Sequence, residues 1–474
     1  MQKILNASLI YRILAAVGRW FGKQWQKSIV VKWLTSSGEK VKTDSSIFAS
    51  VWMKLRSLWA SFFRVLRLDR LFENSIFKMP FLWCLLTVFF APILPTKLVI
   101  LLVLVSFASL AVCCGCDGER KLDRSPVNKY ILIYAAVYAA ATCASVTFRG
   151  SVYGGAVTVL FVLFSIVIQG AVKSRRQLDL LLYAIAVSGT IVALYGIYQY
   201  IFGVTGSAAW LDDDMFSDIA TRVYSTLQNP NVLSEYLLLT IPLAFALIIT
   251  DGKPLKRIFF AGCTAVMCLC LVLTYSRGGW LGLIFGMAIF LVMLDRRFIL
   301  VGIVGLIALY FVLPETIISR FASIGDMGDS STSYRVYIWM GSLAMIKDYW
   351  LCGIGPGTEA FNKVYPLYSY NAIIAPHSHN LFLQIACDSG ICGIVVFVLM
   401  LISMLRVLAT AVKNEADRDS RILQTSFIAS LAAFLVQSAT DYSFYNYRVM
   451  LMFWGFIGLS VLVSRRSSLP EAAE

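Results

Sequence analysis

VYGGAVTVLFVLFSIVIQGAV, residues 152–172, runs for twenty-one positions without a charged side chain. As a helix rising about 1.5 Å per residue it covers about 30 Å, the thickness of a bilayer's hydrocarbon core. The rest of the chain is of the same kind. Of its 474 residues 59% are hydrophobic and 14% charged, whereas soluble domains carry about 25% charged residues. So little charge cannot cover a water-facing surface. Disorder, a disulfide-rich secreted scaffold and a cytosolic enzyme are all excluded. Eleven cysteines, an odd number and mostly inside apolar runs, read as small core residues.

Working outward, twelve windows suit membrane helices: 80–95, 97–115, 130–148, 152–172, 178–202, 232–250, 258–275, 279–294, 298–313, 389–412, 422–440 and 449–464. The expected fold is an all-α integral membrane protein of about twelve transmembrane helices, with a large extracytoplasmic loop between the ninth and tenth. With the N-terminus inside, 32 of the 41 Lys and Arg residues fall on cytoplasmic segments, as the positive-inside rule requires. The first apolar run begins near Met79, too late for a cleaved signal segment. The expected division is a basic cytoplasmic segment 1–78, a polytopic domain 79–466 and a cytoplasmic tail 467–474, in the cytoplasmic (inner) membrane.

The net charge of +14 is concentrated at the start, where residues 1–80 hold fourteen Lys and Arg against four acids. A basic run ahead of apolar spans points to the membrane face rather than to nucleic acid. Within 45–75, Ile47, Val51, Leu55, Leu58, Phe62 and Leu66 recur at helical spacing with arginines and a lysine between them, the pattern of a helix lying on an anionic leaflet.

Candidate chemistry gathers in segments expected outside. The chain has two histidines, His377 and His379, in PHSHN before Asn380. They suit a general base, a structural hydrogen bond or, least well, half of a metal site, which would need a third protein ligand. Arg277 in TYSRGGW and Arg335 after the capping run Ser330, Ser331, Thr332 stand at span or helix starts. Arg222 precedes TLQNPN, and Arg320, near a polar bend, reads as a headgroup anchor. Tyr365 can stack on a sugar or join an interfacial aromatic belt. GIGPGTEAF (353–361) lacks the end of a P-loop and reads as a turn passing close to a headgroup. Asp212, Asp213 and Asp214 could hold a cation or form a solvated loop. Guanidinium forks match phosphate oxygens, and histidine can deprotonate an acceptor hydroxyl. Together they suit glycosyl transfer from a lipid-linked pyrophosphate.

Four stretches in order, RVYSTLQNPNVLSEYL (222–237), TYSRGGWLG (274–282), YRVYIWMGSLAMIKDYWLCGIGPGTEAF (334–361) and HSHNLFLQIACDSGICG (377–393), resemble the O-antigen ligase-like membrane proteins. That group includes O-antigen ligases, polysaccharide polymerases and protein O-oligosaccharyltransferases. The resemblance covers about residues 80–464. It implies an inverting transfer from a polyprenyl-pyrophosphate donor to a glycolipid, glycan or protein acceptor on the extracytoplasmic face, with no cofactor, no metal and no nucleic acid. It gives Arg277 and Arg335 the donor pyrophosphate and His379 the acceptor proton; Arg222, Asn380, His377 and Tyr365 are expected, from the residues themselves, to be substrate contacts. Asp388 stands where relatives often have glutamate. A twelve-span transporter is the alternative from another class, but sparse polar residues within the spans fit it poorly.

Overall fold

The computed structural model describes residues 47–72, 74–117, 125–204, 222–312, 315–322, 325, 326, 328 and 330–471, and these contain helices and no strand. The chain divides into two units, Met1–Met53 and Lys54–Glu474. Of the first, residues 47–53 are described and are helical. The acidic run Asp212–Asp214 and most of the basic N-terminal segment lie outside the described residues.

In chain order the helices are α1 Ile47–Val65, α2 Leu68–Phe72, α3 Pro80–Phe90, α4 Thr96–Asp117, α5 Pro126–Cys143, α6 Phe148–Ala171, α7 Arg175–Ile201, α8 Pro230–Thr250, α9 Pro254–Leu273, α10 Arg277–Leu294, α11 Phe298–Val312, α12 Glu315–Ala322, α13 Ser330–Asp348, α14 Thr358–Val364, α15 Leu381–Asn414, α16 Arg418–Ser438 and α17 Tyr447–Val463. Seven of them, α4, α6 to α10 and α15, are long and apolar enough to cross a bilayer, and the protein is a polytopic membrane protein. Local chemistry starts these helices where they start. Proline occupies the first turn of α3, α5, α8 and α9, where its missing N–H costs nothing. Asn229, Ser276, Asn380 and Asn446 cap α8, α10, α15 and α17 by accepting from backbone N–H groups one turn in.

Outward-facing apolar residues mark the lipid surface. Leu98, Leu101 and Leu104 on α4 and Leu255, Ile258 and Phe259 on α9 are all exposed. In water such ridges would drive aggregation; against acyl chains they cost nothing. α8 is the most enclosed of the seven, packed by α16, α9, α7 and α10. In α10, Gly282 and Gly286 lie four apart and press on α16: a Cβ at either would stand 2.6 Å from the carbonyl oxygen of Ala433 or Ala429. Small residues at this spacing let two membrane helices touch backbone to backbone. Gly286→Leu should therefore cost about 1–3 kcal/mol from overpacking, read as a lowered unfolding temperature in detergent.

The two ends of the Lys54–Glu474 unit differ. At one, Arg466 grips Asp179 through two bonds of 2.7 and 2.8 Å, and Arg175 pairs with Asp417 at 3.2 Å. At the other, the capped starts of α8, α10, α15 and α17 come together. Each such start carries unpaired N–H groups and the positive end of the helix dipole.

Between α11 and α15 the chain forms α12, which packs on the main core through Ile317 and Phe321, and then α13 and α14 around a small core of Ile338, Met345, Ile354, Phe361 and Tyr365. α15 breaks at Gly390, whose φ of 64° and ψ of −162° are not helical. The carbonyls freed there are taken by the glycine-rich stretch: Ile354 N–H donates to Cys387 O at 2.7 Å and Gly355 N–H to Asp388 O at 3.1 Å. Ile391 N–H answers to Trp350 O at 2.7 Å. This corrects the reading of GIGPG. Its glycines have positive φ (Gly353 70°, Gly355 96°) because its backbone lies against that of α15, not against a headgroup.

The basic segment near the membrane is partly visible. α1 exposes Leu58, Phe62 and Val65 beside Arg64, while Trp59 Nε1 donates to Ala111 O of α4 at 3.0 Å and Phe63 is buried.

Candidate active site

His379 sits at the end of the PHSHN stretch with φ 47°, left-handed backbone that turns it back from α15. Asn380 fixes that turn. Its side-chain oxygen accepts from Phe382 and Leu383 N–H at 2.9 and 3.0 Å, and its Nδ2 donates to Ala439 O at 2.7 Å. Asn380 is thus a positioning residue that ties the start of α15 to the end of α16. Trp339 on α13 adds a hydrogen bond to the His379 carbonyl at 3.2 Å.

The partner of His379 is Asp441, which the sequence reading missed. Its Oδ1 lies 3.2 Å from His379 Nδ1, its Oδ2 accepts from Asn231 Nδ2 at 2.9 Å, and Arg335 Nη2 stands 4.0 Å away. Burial alone would raise the Asp441 carboxyl. The His379 hydrogen bond and the positive charge of Arg335 outweigh it and hold the group well below the usual carboxylate range. An ionised carboxylate can only accept, so Nδ1 carries the hydrogen, and in the neutral ring the lone pair is then on Nε2. The pair has the logic of a carboxylate-oriented base.

His377 is different. It is 6% exposed, its ring centroid is 4.2 Å from that of His379, and Tyr445 and Tyr442 flank it at 4.6 and 5.4 Å. Burial, then the neighbouring His379 and Arg335, push its pKa down to about 3, with Asp441 opposing. It is a neutral wall of the site. Its Nδ1 accepts from the His379 backbone N–H at 3.3 Å.

The arginines divide. Arg335, early in α13, donates through Nη1 to the Ser331 hydroxyl and, at 3.3 Å, to the Ser331 carbonyl. Its buried Nε–H has no hydrogen-bond partner, so donor capacity remains for a ligand. Arg277 is the first residue of α10, after a left-handed Tyr275 (φ 50°) and the Ser276 cap. Its neighbour Gly278 packs near Thr440, next to Asp441. Arg222 is 8% exposed and commits Nε to Thr274 O at 2.9 Å and Nη2 to Asn231 Oδ1 at 3.0 Å. It thereby joins the turn before Arg277 to the Asn231 that holds Asp441. A substrate contact was expected of Arg222; the geometry makes it a brace.

Tyr365 is fully buried and stacks on Phe361 at 4.9 Å. It reaches neither a sugar nor the bilayer interface, because the loop helices need an apolar centre and it fills it.

Glu235 was also missed. One turn beyond Asn231 on α8, it is 1% exposed and neither oxygen has a hydrogen-bond partner. Apart from Asp179, at the edge of its window, it is the one acid in any of the twelve apolar windows, and that signal was readable. Asp441 gave a fainter one, the first acid after an apolar window. Among the described residues no group of three His, Cys, Asp or Glu side chains could hold a metal ion.

A search of curated proteins finds no match for the chain. A comparison with protein families does find one, and it covers Arg277, Arg335, His377, His379, Asn380 and Asp388. Residues 262–398 match the family described as O-antigen ligase, and over that stretch the chain is similar to it.

Proposed function

We propose that the protein transfers a glycan from a polyprenyl-pyrophosphate carrier to an acceptor hydroxyl on the extracytoplasmic face of the inner membrane. The observation that carries this is the His379–Asp441 pair beside Arg335, which has an unused donor, and close to Arg277 at a helix start. His379 Nε2 takes the proton of the acceptor hydroxyl as its oxygen attacks the anomeric carbon. The bond from that carbon to the pyrophosphate oxygen breaks, and the electron pair leaves with the pyrophosphate. Arg335 and Arg277 neutralise it, aided by the dipole of α10. Direct displacement inverts the anomeric centre. Two guanidinium groups can do the neutralising that other glycosyltransferases give to a divalent cation, so activity should survive excess chelator.

Polymerase and protein O-oligosaccharyltransferase readings share this donor chemistry and differ in the acceptor alone. Orientation is supported by the distribution of Lys and Arg, which puts the capped helix starts outside and the Arg466–Asp179 end inside.

The test is turnover of a lipid-pyrophosphate glycan by purified protein. Arg335→Lys and Arg277→Lys keep the charge but lose the bidentate fork. Each should lower activity about 10–100-fold, the worth of one charge-assisted hydrogen bond at about 1.5–3 kcal/mol. Activity lost to chelator and restored by Mg²⁺ would move the chemistry to a metal site and refute the scheme.

A further inference from the structure

We propose that the cavity behind His377 seats a sugar ring, the terminal residue of the acceptor glycan; this rests on the glycosyl-transfer reading above. The cavity is a half-open cleft, about 430 Å³ when the open solvent at its mouth is counted. Its lining combines two kinds of surface. Tyr445, half exposed, and Tyr447 offer ring faces for the C–H side of a pyranose, while Gln384, Asp388 and Thr158 offer hydrogen-bonding groups for hydroxyls. Gly154 and Gly357 leave room along one wall.

Charge excludes the donor's pyrophosphate. No lysine or arginine lines the cavity, and its one acidic side chain is Asp388. Asp388 is 1% exposed and receives Gln384 Nε2 at 2.8 Å and Tyr138 OH at 3.4 Å. Each of its oxygens keeps a further lone pair, which suits a sugar hydroxyl.

Position favours acceptor over donor glycan. His377 borders the cavity and lies against the His379 ring, while Asp441, which bonds His379, and Arg335 and Asn231, which reach Asp441, do not line the cavity. Direct displacement requires nucleophile and leaving group on opposite faces of the anomeric carbon. Separate quarters for the neutral acceptor and the anionic leaving group, meeting at one histidine, meet that requirement.

Two variants test the cavity by different routes. Tyr445→Ala removes a ring face. Gly154→Ala adds a methyl 3.6 Å from Gly357 Cα and 3.3 Å from the Tyr447 hydroxyl, which must give way slightly. Each is purified, checked for wild-type thermal unfolding, and assayed with a labelled oligosaccharide acceptor at saturating donor, with donor affinity measured separately. Binding of the methyl glycosides of glucose, galactose and N-acetylglucosamine is followed by saturation-transfer NMR. The expected result is an acceptor KM raised at least about tenfold, unchanged donor affinity, and loss of glycoside signal; one well-folded variant suffices. Weakened donor affinity with unchanged acceptor KM would overturn the proposal in favour of the donor glycan, and wild-type values throughout would overturn it outright. If the wild-type protein transfers nothing from a lipid pyrophosphate yet binds glycosides that both variants lose, the cavity stands and the transfer reading falls.

Discussion

Turnover by His379→Ala protein is expected to fall about 10²–10⁴-fold, the usual contribution of a positioned general base, while donor binding stays close to wild type. The reason lies in what each side chain touches. His379 meets Asp441, Tyr334 and the His377 ring, whereas the pyrophosphate is assigned to the guanidinium groups. His377→Ala should be milder: it removes a buried, neutral ring that packs and accepts one backbone hydrogen bond, at the cost of some looseness in the turn that carries His379. Single-turnover rates and donor affinity, measured on the same preparations, separate the two roles. Full activity in His379→Ala would remove the base assignment.

Asp441→Asn should give an opposite pair of effects. An amide in place of the carboxylate can offer its NH₂ to Nδ1, which favours the tautomer with hydrogen on Nε2 and removes the lone pair that takes the proton. Turnover should drop about 10²–10⁴-fold, the range for losing a general base. Removing a negative charge beside Arg335 should meanwhile leave the anionic donor bound as tightly as before or several-fold more tightly. A merely structural role would weaken both together. Turnover lost along with donor affinity in a well-folded variant would count against Asp441 as the orienting group.

Much of the fold was legible because membrane burial is read in long, uniform runs. Each of the twelve apolar windows falls on a helix, since proline and Asx or Ser caps mark the starts and lipid demands continuity. The site was legible where it used rare residues. With two histidines in the chain, His379 was hard to overlook, and Arg277 and Arg335 stood out as cations at helix starts. What stayed hidden depended on distant parts of the chain coming together. Asp441 is 62 residues from His379, and no spacing rule connects them. Arg222 read as a ligand until Asn231 and the Thr274 carbonyl appeared beside its donors. Tyr365 read as a surface aromatic because nothing local said that α13 and α14 would close over it.

The backbone tie between residues 350–355 and the break in α15 also has a meaning for alignment. Two polypeptide stretches held by N–H to carbonyl bonds could in principle slide by one position and pair again. Here G-I-G-P forbids it. Moving forward by one would set Pro356, which has no N–H, opposite Asp388 O, where Gly355 now donates. Moving back by one would bring the Cβ of Ile354 into a place where Gly355 already lies too close to Ser145 for any side chain. The pairing therefore has a single allowed register. Arg335 and His379, which lie on either side of residues 350–355 along the chain, inherit it as a fixed offset between the group proposed to hold the phosphate and the group proposed to take the proton.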